Sequence, residues 1–160
     1  MLGVQVICVG KLKERFYIQA AAEYEKRLTP LCKFQLTELP EQRLPQNPSP
    51  AELEAALEKE AAAILPLLPK NAAVVALCIE GVPLSSTALA EKLAAYPLAG
   101  KSQACFLIGS SCGLHNSVKE RADLRLSMSP MTFPHHLARV MLLEQIYRAA
   151  QISLGTKYHK

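Results

Sequence analysis

Apolar residues recur along this chain in two patterns, which alternate from one segment to the next. Short apolar runs rich in β-branched residues predict strands. The predicted strands are Val4–Val9, Phe34–Leu39, Ala72–Ile79, Gln103–Ile108 and a brief Leu124–Met128. Segments with helical spacing predict helices at Leu12–Leu28, Ala51–Leu65, Thr87–Tyr96, Ser117–Ala122 and from Phe133-Pro134 to about Leu154. Because strands alternate with helices, we expect an α/β fold with a mainly parallel sheet flanked by helices.

Turn and cap residues separate these elements. Ser49 can cap the second helix, with Pro50 at its first helical position. Residues 40–50 contain four prolines and predict a loop. Glu80-Gly81 predicts a turn after the third strand, and Gly155 predicts the end of the last helix. Without an internal repeat or a convincing linker, residues 1–160 are expected to form a single domain.

The composition is typical of a soluble protein in a reducing compartment. The five cysteines form no CxxC pair, and those in strand-like runs are expected to be small buried apolar residues. No zinc or other metal site is therefore predicted. The first apolar run lacks the flanks of a signal peptide, and no apolar run is long enough to span a membrane. We expect a cytoplasmic protein with no membrane partner.

Positive charge is concentrated in the second half of the chain. Residues 1–80 carry 9 Lys and Arg against 10 Asp and Glu, whereas residues 81–160 carry 9 against 4. The second half is therefore the better candidate for contact with a polyanion.

A glycine-containing turn follows the fourth predicted strand, in the sequence FLIGSSCGL of residues 106–114. Ligands of open α/β sheets bind outside the carboxyl ends of the strands, where glycines let a ligand approach the backbone. The segment is thus a candidate cofactor turn, and equally a plain tight turn. It is neither a dinucleotide-binding GxGxxG motif nor a phosphate-binding loop.

The loop LSMSPMTFPHHLAR, residues 126–139, leads into the last helix. Free backbone N–H groups at such a helix start can bind a ligand or an anion. His135 and His136 lie in the first turn, and Arg139 lies one turn later on roughly the same face. The pattern favours a binding or catalytic site over isolated surface histidines.

The last helix and the tail after it present two further features. The helix is apolar nearly all round, which predicts packing against the core and a partner subunit, or a central position in a monomer. Glu144 and Arg148 are spaced to form an ion pair. The tail Tyr158-His159-Lys160 offers a ring, an imidazole and a cation suited to RNA. Read alone, however, it favours a frayed terminus.

These segments together resemble the SPOUT-class methyltransferases of the RlmH (YbeA) type, and the resemblance covers nearly the whole chain. It is carried by SPMTFPH, LLEQIYRA and the terminal YHK, with VICVGKLKERF and EYEKRL matching in place near the start. The resemblance implies an α/β knot, that is, a parallel sheet with a C-terminal trefoil knot. It also implies S-adenosylmethionine as cofactor and a homodimer with the active site at the subunit interface. The implied reaction is methylation at N3 of a pseudouridine in 23S ribosomal RNA (position 1915), in the large subunit or the assembled ribosome.

The family's cofactor contacts fall here on Leu77, on Gly109 and on one loop. The loop residues are Met128, Ser129, Pro130, Met131, Thr132 and Phe133. Positions that the resemblance associates with substrate binding or catalysis are His135, Arg139, Tyr158 and His159. The chain departs from the family in the glycine turn, where Ser110 replaces a second glycine and Ser111-Cys112 replace Pro-Glu. No acidic residue at position 112 can therefore act here.

Methylation of an imide nitrogen requires that its proton leave before or during attack. His135 and His159 are both candidate acceptors, and the sequence does not choose between them. Arg139 is expected to stabilise developing negative charge or hold a phosphate, and Tyr158 to stack on or orient the base. Two other functions stay open: a non-catalytic RNA- or ribosome-binding module, and a SPOUT methyltransferase acting on transfer RNA or another ribosomal site.

Overall fold

A computed structural model describes residues 2–160. The strands are β1 Gly3–Val9, β2 Lys33–Leu39, β3 Ala72–Pro83, β4 Gln103–Ile108 and β5 Leu124–Ser127. The α-helices are α1 Arg15–Leu28, α2 Pro50–Ile64, α3 Ser86–Leu98, α4 Asn116–Arg121 and α5 His135–Ser153. A single 3₁₀ turn, Leu65–Leu67, extends α2. Each element predicted from the sequence is confirmed, with ends shifted by a few residues.

All five strands form one parallel sheet in the order β2-β1-β4-β3-β5. Successive side chains of a strand point to opposite faces, and both faces are covered. On one face, Val6 and Phe106 pack with α1, α3 and α5. On the other face, Ile7 and Leu107 pack with α2 and α4. Because the strands are buried on both sides, they read as continuous apolar runs. The α/β fold with a parallel sheet flanked by helices is confirmed.

Local sequence fixes the start of α2. The Ser49 hydroxyl accepts a hydrogen bond from the Glu52 N–H, and the Glu52 carboxylate accepts one from the Ser49 N–H. With Pro50 in the first turn, this capping box confirms the predicted start.

The predicted turn at Glu80-Gly81 is wrong, because β3 continues through it to Pro83. The pairing of β3 with β5 is interrupted instead, so that Leu126 lies opposite both Leu77 and Val82. A Cβ at Gly81 would lie 2.6 Å from the Arg125 carbonyl oxygen. The glycine therefore marks a close approach between two strands rather than a change of direction.

Helix α5 is half-buried or buried over residues 135–152, as its apolar surface predicted. The expected ion pair is present, with Arg148 Nη2 2.6 Å from Glu144 Oε1. The expectation of a frayed tail is wrong. The Tyr158 ring packs edge-on against Tyr147 at 4.9 Å between centroids, and its hydroxyl donates to Glu144 over 3.1 Å.

The cysteines in the strands behave largely as expected. Cys8 and Cys105 are buried, and burial raises the pKa of each thiol to about 12, so both are inert at neutral pH. Cys78 is only half-buried, because it lies where β3 leaves β5, and Cys112 is exposed. No helix within residues 2–160 combines the length and apolarity needed to cross a bilayer.

Candidate active site

A cleft of about 330 Å³ opens at the carboxyl edge of the sheet, beside the ends of β4 and β5. Its volume is near the lower end of the roughly 300–1,000 Å³ usual for small-molecule sites. Seven of the eight predicted cofactor residues line it: Leu77, Gly109, Met128, Ser129, Met131, Thr132 and Phe133. Pro130 does not line the cleft. The irregular part of β3, Cys78 to Glu80, forms one wall that the sequence did not predict.

The glycine turn after β4 is closed by backbone contacts. A Cβ at Gly109 would lie 2.3 Å from the Gly113 carbonyl oxygen, so no other residue fits there without moving the turn. Gly113 has a φ of +85°, and its N–H donates to the Ser110 carbonyl over 2.9 Å. Both glycines are thus needed for the shape of the cleft wall.

The two serines that depart from the family pattern hold this turn in place. The buried Ser110 hydroxyl donates to Glu60 Oε1 over 2.9 Å, while Glu60 Oε2 accepts from the Gln42 N–H. The Ser111 hydroxyl donates to Glu41 Oε1 over 3.0 Å. The turn is therefore tied to α2 and to the proline-rich loop, through two glutamates that the sequence analysis did not identify.

The loop from Met128 to Phe133 is ordered by its own hydroxyl groups. The Ser127 hydroxyl donates to the Ser129 carbonyl, and the Met131 N–H donates to the Ser129 hydroxyl over 3.0 Å. The loop ends at Pro134, and within the described residues 2–160 no side chain caps the start of α5. The first N–H groups of α5 are thus open toward an anionic or carbonyl group.

A pair of neighbouring histidines, His135 and His136, begins α5 beside the cleft. His135 lines the cleft, and its ring centroid lies 4.1 Å from that of His136. Both Nε2 atoms are buried, and neither has a hydrogen-bond partner among residues 2–160; Glu41 Oε2 lies 3.8 Å from that of His135. Burial, together with the neighbouring His136, lowers the pKa of His135 below its ordinary value of 6.5. His135 is therefore neutral at physiological pH and able to accept a proton.

Arg139 does not lie in the cleft. Its side chain is 2% exposed and donates to Glu38 over 2.6 Å and to the Gly10 carbonyl over 2.9 Å. Gly10, with a φ of +107°, lies directly below the histidines, and a Cβ there would be 3.2 Å from His135 Nε2. The expected direct contact with negative charge on the substrate would require breaking this ion pair. The geometry favours a positioning role, in which Arg139 holds the end of β1 against the histidines.

The tail residues lie apart from the cleft in the same subunit. Tyr158 contacts Glu144, which is nine residues after His135, or about 14 Å along the helix axis. His159 Nδ1 lies 3.2 Å from Arg148 Nη1. Since arginine only donates, Nδ1 must accept and Nε2 carries the proton of the neutral ring. His159 is thus arranged here as a donor at Nε2, whereas His135 is the better proton acceptor.

The fold and the cleft define a class, that of parallel α/β proteins with a small-molecule site at the carboxyl edge of the sheet. A family model described as "Predicted SPOUT methyltransferase" matches residues 2–159. The chain belongs to this family, whose methyl donor is S-adenosylmethionine.

Solved structures are similar to the chain in fold at low sequence identity. A probable methyltransferase from Bordetella pertussis Tohama I is 16% identical, with a TM-score of 0.56, over 93% of this chain and 95% of that one. A probable methylase family protein from Haemophilus influenzae Rd KW20 is 15% identical, with a TM-score of 0.53, over 100% and 72%. The SpoU methyltransferase AviRb from Streptomyces viridochromogenes, in complex with AdoMet, is 14% identical with a TM-score of 0.47. That match covers 97% of this chain, which spans only 59% of the Streptomyces protein.

The residues of the cleft fit the family's cofactor. Leu77, Leu126 and Met128 supply apolar surface of the kind that an adenine ring and a methylene chain contact. The hydroxyls of Ser129 and Thr132 supply polar partners for a ribose or a carboxylate. The uncapped start of α5 adds backbone donors suited to a carboxylate.

Proposed function

We propose that this chain transfers a methyl group from S-adenosylmethionine to N3 of a pseudouridine in 23S ribosomal RNA. It would do so as a homodimer, on the large subunit or the assembled ribosome. The single observation that carries the activity is the cleft, which gathers the expected cofactor loop, the glycine turn and a neutral histidine at one edge of the sheet. The choice of nucleoside rests on the sequence resemblance alone.

Bound in the cleft, the cofactor would supply a methyl group on a positively charged sulfur. The chain's own task is to hold a ring nitrogen in line with that methyl group, since orientation provides much of the rate. Of the four proposed catalytic residues, only His135 lines the cleft, and its Nε2 has no hydrogen-bond partner within residues 2–160. We assign it as the group that receives the imide proton.

Tyr158 and His159 are proposed to act on the substrate bound to the other subunit. In their own subunit they contact the middle of α5 and do not line the cleft. Burial and the hydrogen bond to Glu144 raise the pKa of Tyr158, which keeps its hydroxyl protonated. A protonated Tyr158 and a His159 with Nε2–H can orient a base and donate to its carbonyl groups.

The surface beside α5 supports the homodimer. A second cavity of about 410 Å³ is lined by Leu84, Leu89, Val140 and Met141 together with Glu144 and Gln145. Val140 and Met141 are apolar side chains of α5 that stay only half-buried in the single subunit. A second copy covering this side would bury them and bring the tail of one subunit toward the cleft of the other.

Mixing two inactive variants tests the shared site. His135→Ala and His159→Ala each remove one half of the proposed machinery. In a mixed dimer one site carries both changes and the other carries neither. Random exchange should therefore restore about a quarter of the wild-type activity per subunit. As the control, a His135→Ala/His159→Ala double variant mixed with either single variant should restore nothing, because every mixed site then lacks a group. Complete absence of recovery after confirmed subunit exchange would place both groups in one subunit.

The substrate is tested by offering purified ribosomes, protein-free ribosomal RNA and transfer RNA with radiolabelled S-adenosylmethionine. Mass spectrometry of the digested nucleosides should find N3-methylpseudouridine from ribosomal RNA. Methylation of transfer RNA, or of a different ribosomal nucleoside, would support a SPOUT methyltransferase of another specificity. No calorimetric binding of S-adenosylmethionine, combined with retention of RNA, would instead make the chain a non-catalytic RNA-binding module.

A further inference from the structure

A basic and aromatic surface adjoins the histidine pair and has no role in the chemistry described above. It consists of Lys11, Lys13, Arg15 and Phe16, and is called here the 11–16 surface. It begins directly after Gly10, whose Cβ position lies 3.2 Å from His135 Nε2. The surface therefore starts at the rim of the cleft, in the connection between β1 and α1.

The cations of the 11–16 surface are available to an external partner. Lys11, Lys13 and Arg15 are all exposed, and within residues 2–160 none of them forms a salt bridge. The one acidic residue among them, Glu14, is directed to the histidines, with its carboxylate 3.7 Å from His136 Nδ1. Three closely spaced cations thus face solvent, where a polyanion would gain most from them.

A chain of rings connects this surface to the cleft. Phe16 is 63% exposed, and its ring centroid lies 4.3 Å from that of Tyr17. Tyr17 meets His136 edge-on at 6.2 Å, and His136 lies 4.1 Å from His135. The rings behind Phe16 hold it at the surface, so that one of its faces can receive a flat ligand.

The mixture of charge and aromatic surface favours RNA over a protein partner. Protein–protein interfaces are depleted in lysine, especially at their centres. Single-stranded RNA, by contrast, is bound by cations that follow its phosphates and by rings on which its bases stack. Because the 11–16 surface begins beside His135 at the cleft, the strand bound there would be the one that carries the reacting nucleoside.

We propose that the 11–16 surface binds the RNA strand next to the target nucleoside, with a base stacked on Phe16 and phosphates paired with Lys11, Lys13 and Arg15. This inference rests on the proposed function for the identity of the strand. It adds an RNA-binding role to the first half of the chain, where the net charge gives no sign of one. RNA responds to the local cluster of positive charge, whereas the acidic residues that cancel this charge in the total lie mostly elsewhere in the first half of the chain.

Two sets of variants test the proposal in binding to protein-free ribosomal RNA, measured by filter retention. Phe16→Ala should lower affinity about 5- to 100-fold, because base stacking on one aromatic ring contributes that much. Phe16→Trp should retain affinity, whereas Phe16→Leu should behave like Phe16→Ala. The variant K11A/K13A/R15A should reduce the slope of log affinity against log salt by about 2, since each phosphate contact to a single strand contributes roughly 0.7.

Matched controls use the opposite edge of the sheet. Lys33, Lys70 and Lys101 lie at or just before the amino ends of β2, β3 and β4, so K33A/K70A/K101A removes the same net charge far from the cleft. It should leave the salt slope close to wild type. Leu98, 91% exposed at the end of α3, provides the control for loss of an exposed apolar side chain. Circular dichroism would establish that every variant is folded.

The outcomes separate this proposal from the proposed function. Equal loss of affinity in both charge variants, or unchanged affinity in Phe16→Ala, would overturn the 11–16 surface even if the enzyme methylates ribosomal RNA. A switch from dimer to monomer in Phe16→Ala, seen by sedimentation velocity, would overturn it in favour of a subunit contact. Failure of the wild-type chain to methylate any RNA would overturn the proposed function, while the binding comparison would still decide the surface. With ribosomes as methyl acceptor, Phe16→Ala and K11A/K13A/R15A should each show a higher KM for ribosomes at an unchanged kcat.

Discussion

Variants of the ion pair between Arg139 and Glu38 test whether this pair holds the end of β1 against the histidines. We expect Arg139→Met to preserve the volume of the side chain while removing two charge-assisted hydrogen bonds, to Glu38 and to the Gly10 carbonyl. Removing one partner of a buried pair costs about 3–5 kcal/mol. The Glu38 side chain is 34% exposed and can regain water, so the low end, about 3 kcal/mol, applies.

The reciprocal change, Glu38→Gln, leaves a guanidinium that is 2% exposed without its counter-ion. We therefore expect a larger loss, about 4 kcal/mol. In the double variant neither charge is left unpaired, so the two losses should not add, and a coupling free energy of about 2 kcal/mol or more is expected. Urea denaturation at neutral pH would measure the free energy of unfolding of the wild type, both single variants and the double variant. Glu23 forms an exposed i,i+4 pair with Arg27, so Glu23→Gln is the control and should change this free energy little.

The pH dependence of the pair has a defined sign. Burial alone would raise the pKa of Glu38, but the hydrogen bonds from Arg139 and the Leu12 N–H, with the nearby positive charges, outweigh it and lower the pKa below 4.5. A lowered folded-state pKa stabilises the protein above 4.5, and the contribution is lost as pH falls through the folded-state value. The stability difference between wild type and Arg139→Met should shrink accordingly below pH 4.5.

The same variants distinguish positioning from direct contact with RNA. If Arg139 only holds Gly10 against His135, Glu38→Gln should slow methyl transfer to a similar degree, because it disturbs the same anchor. Arg139→Lys, which cannot span both acceptors, should rescue little. The reasoning fails if Arg139→Met abolishes single-turnover methyl transfer while Glu38→Gln, folded to the same extent, leaves it at the wild-type rate.

Three further predictions concern the cleft. Gly109→Ala should weaken S-adenosylmethionine binding in calorimetry by more than about tenfold, because its Cβ would overlap the Gly113 carbonyl. Gly3→Ala, at the amino end of β1, is the control and should leave the affinity unchanged. Equal affinities of the two variants would contradict the role of the turn. Single-turnover methyl transfer should persist below pH 6.5, since His135 has a lowered pKa and stays neutral there, and loss of rate centred above pH 6.5 would assign the base elsewhere. Ser110→Ala should cost about 1–3 kcal/mol in urea denaturation by leaving a buried carboxylate oxygen without its donor, against less than about 1 kcal/mol for the exposed Ser111→Ala.

The sequence predicted the elements of the sheet because these depend on local signals, and it named in advance seven residues that line the cleft. Apolar runs in the strands, the Ser49 cap and the proline at the start of α5 act over a few residues. The cleft residues follow from the rule that ligands bind at the carboxyl ends of parallel strands, together with the family resemblance. The trefoil knot and the homodimer stay predictions.

The partners of the polar residues could not be predicted, because they come from distant parts of the chain. Arg139 reaches Glu38 across 101 positions, and Ser110 reaches Glu60 across 50. Nothing in the residues around Arg139 indicates that its guanidinium is already neutralised, so its charge suggested a substrate contact. The docking of Tyr158 on Tyr147 and Glu144 was missed for a related reason, since a terminal aromatic residue looks the same whether free or packed.

The role of Gly81 could not be predicted from the residues next to it in the sequence. Between an apolar run and a polar segment, a glycine signals a turn, a bulge or a close approach of two backbones. Only the partner strand decides among these, and here β5, about 45 residues later in the chain, places its Arg125 carbonyl where a side chain would lie. As a result β3 stays in the sheet with a shift of register against β5, and Cys78 to Glu80 line the cleft. The irregularity thus shapes one wall of the cleft, so Gly81→Ala should weaken S-adenosylmethionine binding as well as the pairing of β3 with β5.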